Sequence, residues 1–262
     1  MAKKLLVAVL LCLLAACEES PTGRRQLALL PDSQLAAMGA EAFAGLKQAQ
    51  PVETSASINN YVGCVARAVI GVLPEPRGSW EVVVFRNSEP NAFALPGGKI
   101  GVNTGMLNIA ETPAQLAAVM AHEVGHVIAN HANERLTQEL GVKSILLMVS
   151  LFIGDPGSWS QELLLGALGL GAQVGVLLPF SRTHEHEADI VGLGLMAQAG
   201  FDPRQSLALW QNMARASGDQ PLEFLSTHPS HQSRFEELQA EMPEALALYQ
   251  AEQEQDRIPE CG

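Results

Sequence analysis

The pentapeptide His122-Glu123-Val124-Gly125-His126 constrains this chain more than any other stretch. Residues four apart share one face of an α-helix, so both imidazoles reach one ion only if the segment is helical. The sequence supplies that helix. Thr112-Pro113-Ala114-Gln115 carries an N-cap Thr, a Pro at the first helical position and a Gln three residues after the cap, the pattern of a capping box. It predicts a helix from Thr112 to about Leu136. Glu123 lies at the edge of the face that carries the histidines, where its carboxylate can meet water held at the ion. One Zn2+ is expected: it takes nitrogen and oxygen ligands tetrahedrally and keeps a position open, and it brings the pKa of its water to roughly 7.

Two histidines do not complete a catalytic zinc site; a third protein ligand is needed. The metzincin spacing would put a Gly at 129 and a His at 132, but both are Ala. His131 misses by one residue, about 100° of helix rotation, and is expected as an exposed or capping histidine. The search moves to residues 184–189, where His184, Glu185, His186, Glu187 and Asp189 crowd together. On a helix Glu185 and Asp189 share a face, and Glu187 points away from both. A Glu on the metal with an Asp one turn later makes a useful pair, because the Asp accepts the free ring N–H of a ligating His and orients it. Ala188 keeps the packing close. His184 and His186 are expected to be solvated or to line a groove.

The first seventeen residues leave the fold argument. MAKKLLVAVLLCLLAAC has two lysines, an apolar core and small residues before Cys17, and resembles the lipobox of bacterial lipoproteins. Cys17 would then be the lipidated first mature residue. With Glu18 after it, the outer membrane fits better than the inner one. Cys64 and Cys261 remain, and an exported compartment permits them to form a disulfide. The net charge is −12, with no basic run, which excludes a nucleic-acid footprint.

Residues 18–262 are expected to form one mainly α (α+β) domain. Amphipathic helices are predicted over 32–49 and 57–73. WEVVVFR (80–86), NAFALP and KIGVNTG read as three strands, with Gly97-Gly98 between the last two. A helix starts in SRTHEHEAD and ends at Gly200, another runs from Asp202-Pro203 to Ala216, and a last one follows THPSH. The apolar region 142–180 reads either as two buried helices or as a lid that touches membrane or unfolded substrate.

HEVGH followed far downstream by SRxxExxAD resembles the HtpX-like and CAAX-protease-like zinc metallopeptidases, family forty-eight, of gluzincin type. SPTGRRQLALL, NAFALPGGKIGVNTGML and THPSHQSRFEEL extend the likeness over nearly the whole mature chain, nearest to periplasmic lipoprotein members of the BepA and LoiP kind. The resemblance implies a zincin-like fold, with a small three-stranded sheet against the active-site helix. It implies His122, His126 and Glu185 as zinc ligands and Glu123 as general base. Asp189 is implied as the partner behind a ligand, Arg234 near Asp189, and His228 beside the zinc as transition-state donor or reversible fourth ligand. For Arg234 the plain alternative is a surface partner of Glu237. Asn91, Ala92, Phe93, Ala94 and Leu95 are implied as the substrate edge strand. The activity expected is a zinc endopeptidase, lipid-anchored at the periplasmic face and acting on unfolded or misassembled envelope proteins. The alternative is a lipid-anchored chaperone-like binding protein with a latent zinc site. Docking on the outer-membrane assembly machinery is unsupported, as no C-terminal repeat domain is seen.

Overall fold

The computed structural model describes residues 17–73, 79–139, 141, 180–217, 222, 224–225, 228 and 232–261. The leader up to residue 16, the apolar stretch 142–179 and most of the Thr227–Pro229 loop lie outside them.

A short hairpin opens the described chain: β1 (Cys17–Glu19) pairs antiparallel with β2 (Arg25–Leu27), Cys17 opposite Leu27. Helices α1 (Asp32–Ala49) and α2 (Ala56–Gly71) follow. A mixed sheet is then built from β3 (Glu81–Phe85), β4 (Ala92–Leu95) and β5 (Lys99–Asn103). Its order is β3-β5-β4, with β3 parallel and β4 antiparallel to β5. Gly97 and Gly98, at φ of 81° and 73°, make the β4–β5 turn, a region that L side chains rarely adopt. After a 3-10 turn (Thr104–Asn108) come α3 (Pro113–Ile128), α4 (131–139), α5 (Arg182–Gln198), α6 (Arg204–Ala216) and α7 (Gln232–Glu254). The architecture is mainly α with a small three-stranded sheet, as the sequence predicts.

Strand alternation divides the core. Val84, Ile100 and Val102 face α2 and α3, and pack with Val65, Leu116 and Met120. Phe85 and Leu95 face α1 with Phe43. The Phe43, Phe85 and Phe93 rings lie 6.1–6.4 Å apart; burying Phe43 and Phe85 stabilises the fold by about 1.5–3 kcal/mol each. Gly101 makes room for this cluster, since a Cβ there would sit 2.3 Å from the Phe93 ring.

Helix α3 is buried along Gln115–His126. The Thr112 hydroxyl accepts from Gln115 N–H at 3.2 Å, and the Gln115 amide oxygen accepts from Glu111 N–H at 2.8 Å. The reciprocal cap is therefore present, shifted by one residue. One expectation fails: the helix does not continue to Leu136. It ends at Ile128, where Ala129 N–H caps Gly125 C=O and Asn130 takes φ 56°. Asn tolerates this left-handed geometry better than most residues. Asn130 C=O then accepts from Asn133 N–H, restarting the chain as α4 in a new direction.

Helix α5 packs on α3 through small residues. A Cβ on Gly125 would lie 2.9 Å from Ala188 O, and one on Gly192 would lie 2.9 Å from His122 Cα. The α5 N-cap, Ser181, accepts from His184 N–H at 3.2 Å. At the far side, Cys64 of α2 and Cys261 of the tail stand with their sulfurs 1.99 Å apart.

Candidate metal centre

Four buried side chains converge between α3, α5 and the segment after α6: His122, His126, Glu185 and His228 offer ligand atoms within 4.8 Å of one another. The Nε2 atoms of His122 and His126 are 3.1 Å apart. Glu185 Oε2 is 3.5 Å from His122 Nε2, and its Oε1 is 3.5 Å from His126 Nε2 and 3.0 Å from His228 Nδ1.

These residues fit a zinc ion, and the hydrogen bonds behind them say why. His122 Nδ1 is 2.9 Å from Asp189 Oδ1. Asp189 is held by Arg234, with Nε and Nη2 at 2.6 and 2.7 Å, so it is an acceptor and His122 Nδ1 carries the proton. The Nε2 lone pair of His122 is thereby aimed at the His126 nitrogen, an arrangement that a cation between them satisfies. Arg234 Nη1 also lies 2.7 Å from Glu185 Oε2, and the guanidinium stacks 4.1 Å from the Trp210 ring. Arg234 is buried, so the surface-pair alternative fails; Glu237 instead meets His186 at 2.8 Å.

Electrostatics follow from this packing. Without a cation, burial pushes His122 down, but the Asp189 and Glu185 carboxylates outweigh it and raise it to about 9; zinc binding would displace the Nε2 proton and leave the one on Nδ1. Burial drives His126 well below its ordinary value, so it stays neutral and its lone pair is available. Burial pushes Glu185 up, yet His228, His122 and His126 hold it well below the usual range. Glu123 differs: burial raises it, with His228 and His122 pulling the other way. A raised carboxyl suits proton transfer near neutral pH.

Glu123 also joins the centre to the sheet. Its Oε2 accepts from Ala94 N–H of β4 at 3.1 Å, and its Oε1 is 3.3 Å from His228 Nε2. Asn91 C=O accepts from Asn103 N–H at 2.9 Å. The antiparallel alternation from that pair leaves Ala92 and Ala94 with main-chain groups directed away from β5, while Phe93 and Leu95 pair with it. Beside Ala94 lies a groove of about 450 Å3 lined by Asp32, Leu35, Ala36, Pro96, His126 and Phe180.

Two further expectations are corrected. His131 is neither exposed nor a cap: it is fully buried, its Nδ1 2.8 Å from His126 Nδ1. The break at Asn130 turns it inward, which a continuous helix would not. His184 is also buried, at 3.1 Å from Glu134 Oε2. It lies under the β1–β2 hairpin, whose Arg24 bonds both Glu134 (2.6 and 2.9 Å) and Glu187 (3.0 Å). Sequence reasoning passed over Arg24, Glu134, Glu187 and His131 as a group. The available signal was Asn130, a helix-stopping residue four places after His126.

A helix bearing HEVGH, a small mixed sheet beside it and a Glu from a second helix define a single-metal site of the HExxH-plus-Glu class. The comparisons agree. Residues 53–242 match Peptidase family M48, and the chain belongs to that family. It is 40% identical over 187 residues to the Mitochondrial metalloendopeptidase OMA1 of Schizosaccharomyces pombe, covering 71% of this chain and 53% of that protein. It is 34% identical over 183 residues to the human Metalloendopeptidase OMA1, mitochondrial, covering 65% of this chain and 34% of that protein. It is 25% identical over 254 residues to the Beta-barrel assembly-enhancing protease of Escherichia coli, covering 89% of this chain and 51% of that protein. The chain thus spans about half or less of the length of these relatives.

Proposed function

We propose that this protein is a zinc-dependent endopeptidase for extended or unfolded polypeptide. One observation carries the reading: Glu123 hydrogen-bonds Ala94 of β4 while lying among the ligand histidines. The general base, the ligand cluster and the outward edge of a strand meet within one hydrogen bond. A peptide added along the outward edge of β4 would pair with the main-chain groups of Ala92 and Ala94 that Glu123 does not already hold, which selects extended chain rather than a particular side chain. Zinc, when bound by His122, His126 and Glu185, polarises the scissile carbonyl and makes water nucleophilic. Glu123 takes the proton from the attacking water and passes it to the leaving amine. His228, 3.3 Å from Glu123, would donate to the oxyanion that develops. Asp189 and Arg234 hold His122 in the ligating tautomer.

The setting proposed is the periplasmic face of a bacterial membrane, with lipid on Cys17. The leader and lipobox support it, and so does the Cys64–Cys261 pair, which suits an oxidising compartment. Cys17 begins β1, so the anchor would join the folded body without a long tether. Among the described residues no helix is long and apolar enough to cross a membrane. The outer membrane fits better than the inner, and the substrates would be misassembled envelope proteins.

His228 supports a second reading. As a fourth ligand it would close the site and leave a latent enzyme or a chaperone-like binding protein. The two readings separate in one experiment on an unfolded substrate. Glu123→Gln is expected to keep zinc and lose about 100- to 10,000-fold in cleavage rate. Undiminished cleavage would remove the enzyme mechanism. Cleavage that appears only in His228→Ala would favour latency.

A further inference from the structure

We propose that His131 and Glu187 are positioning residues for His126, a relay that selects its metal-binding tautomer. The inference rests on the zinc reading above. His126 Nε2 faces the ligand cluster, and its Nδ1 lies 2.8 Å from His131 Nδ1. Two ring nitrogens at that distance share one proton. A neutral imidazole that binds a cation through Nε2 carries its proton on Nδ1. His126 therefore donates and His131 Nδ1 accepts. The His131 proton is then on Nε2, which lies 3.1 Å from Glu187 Oε2. The reverse polarity would protonate His126 Nε2 and block the site.

Glu187 is built to receive that proton's hydrogen bond. Thr22 Oγ1 donates to its Oε1 at 2.6 Å, and Arg24 Nε donates to its Oε2 at 3.0 Å. Every oxygen of the carboxylate is occupied by donors, so it acts only as an acceptor. The two ligand histidines are thus backed in parallel. His122 meets Asp189 directly, clamped by Arg234; His126 meets Glu187 through His131, clamped by Arg24. The second chain runs to the β1–β2 hairpin, which ties the first described elements of the fold to the metal ligand.

A purely structural role for this buried cluster predicts lower stability with unchanged metal geometry. The relay predicts a change at the metal. The test uses the full chain, with zinc affinity from chelator competition, the visible bands of the Co2+-substituted protein, and thermal unfolding of the metal-free form. His131→Phe is expected to lose about 10- to 100-fold in zinc affinity and to shift the Co2+ bands. His131→Asn, whose side-chain oxygen restores an acceptor for His126, is expected to recover most of both. Glu187→Gln keeps the shape, since the Thr22 hydroxyl can accept from the new amide, and is expected to lose several-fold. Zinc affinity within twofold of wild type and unaltered Co2+ bands in both His131→Phe and Glu187→Gln overturn the relay. Should His131→Phe fail to fold, Glu187→Gln decides alone by the same criterion. A wild-type chain that takes no zinc removes the peptidase reading and the relay together. A chain that takes zinc but cleaves nothing removes the peptidase reading only.

Discussion

Replacing Arg234 by Leu tests how the buried charge at the centre is balanced. Arg234 is 3% exposed and reaches two carboxylates: Asp189 at 2.6 and 2.7 Å and Glu185 at 2.7 Å. Leu removes the cation and leaves both acids buried. Orphaning one partner of a buried pair costs about 3–5 kcal/mol, and the lost contact with Trp210 adds about 0.5–2 kcal/mol. That is a large share of a typical stability of about 5–15 kcal/mol. Zinc partly replaces the lost charge, because Glu185 then faces the ion, whereas Asp189 keeps only His122. Denaturant unfolding with and without chelator is the assay. The variant is expected to be about 3.5–7 kcal/mol less stable without metal, with a clearly smaller loss when zinc is saturating. A loss under 1 kcal/mol without metal, or the same loss in both conditions, would refute this account of the charge balance.

Other consequences are open to direct measurement. In Gly192→Ala the new Cβ meets His122 Cα and N at 2.9 Å. Backbone cannot give way as a side chain does, so about 1–3 kcal/mol is lost and zinc binding weakens; an unchanged melting point and affinity would contradict the close α3–α5 packing. Acid unfolding probes the Arg24 cluster. Burial pushes the Glu134 carboxyl up, but Arg24 and His184 outweigh it and leave it below its ordinary value. Glu187 is lowered too, with burial opposed by His131, Thr22 and Arg24 among others. Below the ordinary carboxylate value of about 4.5 the unfolded chain binds more protons than the folded one, so stability falls with pH there. Arg24→Gln is expected to flatten or reverse that slope between about pH 5 and 3, and an unaltered slope would show the cluster is not held by Arg24.

Much of this centre was legible because helical period is rigid. His122, Glu123 and His126 follow from spacing, and Glu185 with Asp189 from the same four-residue rule applied to a second helix. WEVVVFR stood out through β-branched and aromatic residues between turn signals, and the two shorter strands through the Gly97-Gly98 pair that joins them. Where the reading of His131 failed, a single backbone residue was responsible. Asn130 sits in the left-handed region, and that turn decides whether His131 faces solvent or His126. Periodicity carries no information about a chain that leaves the helix. The ion pairs of Arg24 with Glu134 and Glu187 span 110 and 163 positions, and such long-range pairing is set by packing rather than by local pattern. The order β3-β5-β4, with one parallel pair, was equally out of reach.

Every role assigned to these side chains depends on one zinc ion held by His122, His126 and Glu185. Zinc-edge absorption spectroscopy on the purified chain, with metal content measured alongside, tests it most directly. One zinc per chain is expected, with two or three imidazole nitrogens and one carboxylate at about 2.0–2.2 Å, and loss of bound metal in Glu185→Ala. Sulfur ligands, a zinc that survives unchanged in Glu185→Ala, or no stoichiometric zinc would contradict it.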